Sequence, residues 1–317
     1  MSGKVLDSTT INKELLENID QKLKLNNELL SLLLVSESIK NSPIKKAHKE
    51  LLFLLLQHRD RNYIRINHNG EIYERILEYL KLLRPLNIKK SKLERVGGSE
   101  DGGYVMLKNS TPPPPLCKAI SLGVSDFSPW DLEMAKRGYR VAQYDASIEK
   151  GPYNHPNISF HKKFVGLVDD DNTVSLETVI KENKLDPKLP NILQCDIENA
   201  EWEILEGFDI SLLARYFSQI IFEFHGLNPE EAEGFAKRSA VLRKINEHFS
   251  SIHMHFNNHG KIFYSKDRFF SVTIEASYLR KDLVPSYARN NFRKSGILNK
   301  LDYPTDKAVP ELPIIYE

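Results

Sequence analysis

The sequence predicts an α/β protein: a doubly wound, mostly parallel sheet with an antiparallel edge, preceded by a helical N-terminal segment. Three observations carry this. From about Ala119, short apolar runs alternate with helical stretches, the pattern of crossover units in a sheet covered on both faces. The last strand-like runs are separated by only a short loop at His259-Gly260, which predicts antiparallel pairing. Before residue 90 the apolar residues recur at helical spacing. The chain thus divides into residues 1–90, a helical cap or oligomerisation segment, and 91–317, the sheet domain.

The first helix carries Ile11, Leu15, Ile19, Leu23, Leu29, Leu30 and Leu33 on its apolar positions. Asn41-Ser42-Pro43 reads as a stop and a new start, with a second helix through Ile44, Leu51, Leu52, Leu55 and Leu56. A third opens after Asn69-Gly70, presents Ile72, Ile76, Leu80 and Leu83 on one face and ends before Pro85. The leucine-rich faces suit packing on the sheet domain, or burial against a second copy in a homodimer. Strands are expected at Cys117–Leu122, Tyr139–Tyr144, Ile158–Val165, Asn191–Cys195, Gln219–Phe224, Ser251–Phe256, Lys261–Tyr264 and Ser271–Tyr278. Helices are expected at Pro129–Arg137, Leu176–Glu182, Glu201–Leu205 and Glu231–Phe249, with a stiff polyproline spacer at Pro112–Pro115.

Composition narrows the function. Lys and Arg number 44 against 43 Asp and Glu, a formal charge of +1, which offers no electrostatic basis for general nucleic-acid binding. No apolar run approaches the roughly 20 residues of a membrane helix, and the polar start shows no secretory signal, so a cytoplasmic location is expected. Two cysteines, Cys117 and Cys195, make neither a disulfide scaffold nor a cysteine-built zinc site.

Ligands of such sheets bind at the carboxyl ends of the strands. The first strand runs into Ser121-Leu122-Gly123-Val124-Ser125, where a small residue lets backbone approach a ligand. The second ends in Asp145, placed to accept both hydroxyls of an adenosine ribose. Gly123 is the single glycine of its turn, whereas a dinucleotide fingerprint wants three, so a smaller adenosine ligand fits better. Asp196, Glu198, Glu201 and Glu203 follow a buried strand, Glu223 and His225 end another, and His253 and His255 sit on a third. Charged groups are rarely buried without partners, so carboxylates and histidines gathered at neighbouring strand ends point to chemistry.

The segments Arg95-Val96-Gly97-Gly98-Ser99-Glu100-Asp101-Gly102-Gly103-Tyr104-Val105, Ser121-Leu122-Gly123-Val124, Asp196-Ile197-Glu198-Asn199-Ala200-Glu201-Trp202-Glu203-Ile204-Leu205 and His253-Met254-His255-Phe256-Asn257-Asn258 resemble the FkbM-like methyltransferases. The likeness covers roughly residues 90–285, and Glu275–Lys281 is similar to the family's late strand. It implies a Rossmann-like methyltransferase fold and an S-adenosylmethionine-dependent O-methyltransferase of the kind linked to bacterial sugar and polysaccharide modification. By the same resemblance, Gly123 and Ser125 border the cofactor, Asp145 holds its ribose, and Asp101, Gly102, Gly103 and Asp196 lie beside it. Ser125 stands where the family usually has a second small glycine.

Transfer from a sulfonium is an in-line displacement, so the protein must align a hydroxyl oxygen and take its proton. His225 or His255 could act as base, with Asp196 beside them. Alternatively, Asp196, Glu223, His225 and His255 could hold Fe(II), Mn(II) or Mg(II), which would lower the hydroxyl pKa. Glu198, Asn257 and Asn258 are expected to contact substrate. Arg280, Lys281, Arg289, Arg293 and Lys294 either meet phosphates of a nucleotide-linked sugar or form a solvated basic face. The expected acceptor is a nucleotide-sugar or surface (capsular) polysaccharide precursor. The alternatives are a lipid or small natural product as acceptor, or a non-catalytic S-adenosylmethionine-binding module.

Overall fold

A computed structural model describes residues 8–58, 63–109 and 113–317; Ile11 of the first predicted helix, as a side chain, and Pro112 of the spacer lie outside what is described. The chain divides into two compact units, the first ending at Arg65 and the second running Ile66–Glu317.

The helices are α1 (Ser8–Asn41), α2 (Lys46–His58), α3 (Gly70–Leu83), α4 (Pro129–Lys136), α5 (Leu176–Glu182), α6 (Ala200–Gly207), α7 (Ile210–Tyr216) and α8 (Ala232–His248). In the first unit, Ser42 ends α1 by donating its hydroxyl to the Ile39 carbonyl at 2.6 Å. Leu15, Ile19, Leu23, Leu29, Leu30 and Leu33 of α1 are exposed. In the second unit α3 is capped by Asn69, whose side chain accepts from Glu71 N, and it buries the predicted stripe plus Tyr79. Tyr79 stacks edge-on against Phe235 of α8 at 5.0 Å. The third helix thus packs within the sheet-bearing unit.

Seven strands form the central sheet: β1 (Lys118–Leu122), β2 (Arg140–Tyr144), β3 (Ile158–His161), β4 (Asn191–Cys195), β5 (Phe217–Phe224), β6 (Phe249–Phe256) and β7 (Ile274–Arg280). Their order is β3-β2-β1-β4-β5-β7-β6. All are parallel except β7, which pairs antiparallel with both β5 and β6. This is a doubly wound, Rossmann-like order. Winding reverses between β1 and β4, so the crevice opens at their carboxyl ends. β4 and β5 are buried along their whole length, as strands covered on both faces must be.

The antiparallel strand lies one place in from the edge, because β7 folds back into the gap between β5 and β6. The predicted strand at Ser271–Tyr278 is two pieces: Arg268–Ser271 pairs with Ile262–Ser265 in a separate hairpin, and β7 begins at Ile274. Ile158–Val165 likewise divides, with Phe164–Gly166 pairing instead with Thr173–Ser175.

Two additions complete the site's frame. A hairpin of Leu93–Val96 and Tyr104–Leu107 lies against the sheet, bonded by Leu107 N to Gln219 Oε1 (2.8 Å) and by Ser277 Oγ to the Val105 carbonyl (2.5 Å). Its turn delivers Asp101-Gly102-Gly103 to the crevice. The C-terminal segment crosses β6 without regular structure, burying Val309, Leu312, Ile314 and Tyr316.

Candidate functional site

The turn after β1 is fixed by a close approach of backbones. Gly123 has φ +77°, and a Cβ there would fall 1.7 Å from the carbonyl oxygen of Asp196, in the turn after β4. Asp196 N donates to the Leu122 carbonyl at 2.8 Å, so the two turns are laced together and only glycine fits. Ser125 adopts φ +57°, the left-handed conformation a glycine would take without cost.

Asp145 holds this turn. One carboxylate oxygen accepts from Val124 N (2.9 Å) and Ser125 N (3.0 Å), the other from Ser147 N (2.7 Å) and Ser147 Oγ (2.6 Å). Burial would raise its pKa, but these four donors hold it below the usual carboxylate range. A cavity of about 390 Å³ opens above, lined by Asp101, Gly102, Tyr104, Gly123, Val124, Ser125, Phe127, Ser128, Asp145, Ser147, Gln194, Asp196 and Glu198. Six of the seven residues expected around a cofactor line this one cavity. Gly103 does not; it packs against the Gly98 carbonyl and Arg95, where a Cβ would meet them at 2.6 and 3.0 Å. Trp130 is buried in the core, packed with Val96, Met134 and Ile192.

At one end of the cavity His225, at the close of β5, faces four carboxylates. Its Nδ1 lies 2.8 Å from Glu201 Oε1, while Nε2 lies 3.5 Å from Glu198, 3.8 Å from Asp196 and 3.9 Å from Glu223. Burial would lower the imidazole pKa, but Glu201, Asp196 and Glu198 together raise it. Burial lifts Asp196 to about 7, against the opposing pull of His225. Burial and the repulsion of Asp196 push Glu223 well above the carboxylate range. Tyr104 donates its hydroxyl to Asp196 and Glu223, both at 3.4 Å.

Glu201 is the functional residue whose role the sequence did not disclose. It is 1% exposed, on the first turn of α6, and it engages Nδ1 of the imidazole, leaving Nε2 beside Asp196 and Glu198, which line the cavity. Left-handed backbone at Glu198 (φ +54°) and Asn199 (φ +79°) turns α6 back beneath His225. Trp202, one residue further, donates its indole N–H to the His225 carbonyl at 2.6 Å.

Asp196, Glu198 and His225 each offer one ligand atom, all within 4.8 Å of one another. Asp196 Oδ1 is buried with no hydrogen-bond partner, which suits a cation. Of the expected metal set, Asp196, Glu223 and His225 come together, and Glu198 joins them. His255 does not: it is fully buried, with Nε2 2.8 Å from Glu311 and Nδ1 3.6 Å from Glu275. Those partners raise it to about 10 against the pull of burial, so it is a charged, occupied cation and not a base.

Asn257 and Asn258 are also placed elsewhere than expected. Asn257 is buried and donates to Glu223 Oε1 at 2.7 Å. Asn258 is buried and donates to the carbonyls of Asp306 and Val309, both at 3.1 Å, anchoring the C-terminal segment. Neither lines the cavity. The basic run from Arg280 is at the opposite end of the sheet, because β7 runs antiparallel and Arg280 pairs with Phe249 at the start of β6. It therefore does not meet phosphates at this site.

Residues 109–263, just under half of the chain, match the family model described as a Methyltransferase FkbM domain. The chain is similar to the human protein named probable methyltransferase-like protein 24, 27% identical over 124 residues that make 34% of this chain and 32% of that one. It is similar to the rat protein of the same name at 26% identity over 148 residues, 40% of this chain and 38% of that one. The chain thus spans roughly a third of the length of these curated relatives. A solved SAM-dependent methyltransferase from Agrobacterium tumefaciens aligns over 62% of this chain and 72% of its own, at 9% identity and a TM-score of 0.31. The family match and the relatives' names support a methyltransferase domain of the FkbM type in this stretch.

Proposed function

We propose that this FkbM-type methyltransferase is an O-methyltransferase acting on a carbohydrate hydroxyl, such as that of a nucleotide-linked sugar or a surface polysaccharide precursor. One observation carries the reading: a single cavity joins the Gly123–Ser125 turn and Asp145 to the His225 cluster, and Asp196 and Glu198 belong to both.

Bound S-adenosylmethionine supplies an activated methyl group, so the protein's tasks are alignment and proton removal. Gly123, Ser125 and Gly102 leave room for close backbone approach, and Asp145 faces the ribose. Glu201 holds His225 through Nδ1, leaving Nε2 to take the proton of the attacking hydroxyl. The negative field of Asp196 and Glu198 stabilises the imidazolium that results. A divalent cation held by Asp196, Glu198 and His225 would instead lower the hydroxyl pKa directly. The set is richer in oxygen than the one expected from sequence, which favours Mg(II) or Mn(II) over Fe(II). In that case Glu201 orients the histidine ligand through its other nitrogen.

Calorimetric titration with S-adenosylhomocysteine, with NAD as control, tests the cofactor assignment. Binding in the micromolar range, about −8 kcal/mol, is expected for the first and none for the second. Transfer of labelled methyl groups to nucleotide sugars, compared with lipid and small phenolic acceptors, tests the acceptor class. Binding without transfer to any acceptor leaves the non-catalytic module. The same assay before and after chelation decides between base and metal, since full activity in stripped protein rejects the cation. For the first unit we propose homodimer formation through the exposed leucines of α1, which Leu23→Glu with Leu30→Glu should abolish in sedimentation experiments.

A further inference from the structure

The end of the sheet opposite the His225 cluster holds a second cavity, of about 670 Å³, within the second unit. Strands of this length place it about 25 Å from the crevice. It is bounded by the C-terminal turn of α3, the start of β6 and the irregular stretch after β7. Its walls are Leu82, Leu86, Phe249, Val284 and Phe292, and its charged lining is Lys81, Arg84, Lys281 and Arg289, with no acidic side chain among the lining residues.

The cations are not all spent within the chain. Arg84 bonds Glu317 Oε1 at 2.6 Å and the Arg293 carbonyl at 2.6 Å, and its guanidinium lies over the Phe292 ring at 5.6 Å. Lys81 lies 3.8 Å from Glu78. Arg289 donates to the Val284 carbonyl at 3.4 Å, and neither it nor Lys281 is paired with a carboxylate among the described residues. Two of its uncharged polar side chains are consumed by the end of α3: Asn246 donates to the Leu82 carbonyl and Ser251 to the Leu83 carbonyl, at 2.8 and 2.9 Å. Ser250 and Asn290 are the other uncharged polar side chains of the lining. Around the same stretch Leu283, Tyr287 and Phe292 are exposed, and Lys89 Nζ stands 5.0 Å from the centre of the Tyr287 ring.

An apolar trough carrying two cations without a carboxylate partner, Lys281 and Arg289, fits an anionic head on a hydrocarbon chain: the head replaces water on the cations, and the chain covers the apolar wall. We propose that this cavity binds a lipid phosphate monoester, with Lys281, Arg289 and Arg84 on the phosphate and Leu86, Val284 and Phe292 along the first methylenes. The proposal is independent of the methyltransferase reading.

The test is calorimetric titration of the full chain with dodecyl phosphate below its micelle concentration, beside inorganic phosphate and neutral dodecyl maltoside. Micromolar binding of dodecyl phosphate is expected, at least about tenfold tighter than either control. Lys281→Glu with Arg289→Glu should weaken it about tenfold or more with the melting temperature kept, and Ser250→Trp, which fills the cavity, should do the same without changing charge. Inorganic phosphate binding as tightly as dodecyl phosphate overturns the proposal, as does equal binding of the maltoside. No binding of dodecyl phosphate, or unchanged affinity in both variants, overturns it too.

Discussion

Two histidine clusters, alike in sequence, have opposite fates in this molecule. Glu223 and His225 close β5; His253 and His255 lie two apart near the end of β6. Each ring faces carboxylates at hydrogen-bond or ion-pair distance. His225 keeps 12% of its side chain exposed, whereas His253 and His255 keep 2% and 0%. The difference is what crosses the strand end. The edge of His225 stays partly open beside Asp196 and Glu198, while the C-terminal segment seals the other pair, with Asp302 2.7 Å from His253 and Glu311 2.8 Å from His255. The same residue types thus make a reactive group where solvent and ligand reach them, and a structural cross-link where chain covers them.

The largest effect that could break this comparison is on stability. His255→Ala leaves Glu275 and Glu311 without their cation, and removing one partner of a buried pair costs about 3–5 kcal/mol. Urea unfolding should show that loss for His255→Ala and a smaller one for His225→Ala, which strips one fully buried carboxylate, Glu201, of its partner but leaves the exposed Glu198 in water. Equal losses would mean the two sites are not different in kind. His225→Ala should instead lower methyl transfer by about 10²–10⁴-fold while S-adenosylhomocysteine binding is kept, as judged by single-turnover assay and calorimetry. Retained transfer would remove His225 from the chemistry.

Asp145→Ala comes next. It deletes the acceptor of four hydrogen bonds that shape the turn, so S-adenosylhomocysteine affinity should fall about tenfold or more by calorimetry. An unchanged Kd would discard both its ribose role and its hold on the turn. A pH series tests both clusters together. His255 is held at about 10 in the folded chain against about 6.5 for a free imidazole, so its contribution is complete below about pH 6.5 and is lost as pH rises through 10. Asp196, raised to about 7, adds a loss of the same sign from about pH 4 to 7. Urea midpoints should therefore fall from pH 5 to pH 9, and less steeply in Asp196→Asn; a flat or rising profile contradicts these assignments.

Much of the frame was legible in the residues. The bounds of α5 and β4 coincide with the expected ones, because Ser175 caps the helix and the apolar run of β4 stops at Asp196. Short pairings such as Phe164–Gly166 with Thr173–Ser175 were illegible, since three residues carry no periodicity. The cavity's rim could be read from strand ends: Gly123, Asp145, Asp196 and His225 stand at carboxyl ends whatever the details. Glu201 could not, because its position depends on two successive left-handed residues that ordinarily call for glycine. His255 went astray for a related reason. Alternation along a strand tells which face a side chain takes, and tells nothing of what lies on that face.

The seal over β6 also has a kinetic side. His253 meets Asp302 across 49 residues of chain, and His255 meets Glu311 across 56. Before that closure the two imidazoles lie at an unfinished sheet end, with Glu275 alone beside them. Closing such long loops is slow compared with local helix formation. The docking of the C-terminal segment over His253 and His255 should therefore be a late step of folding.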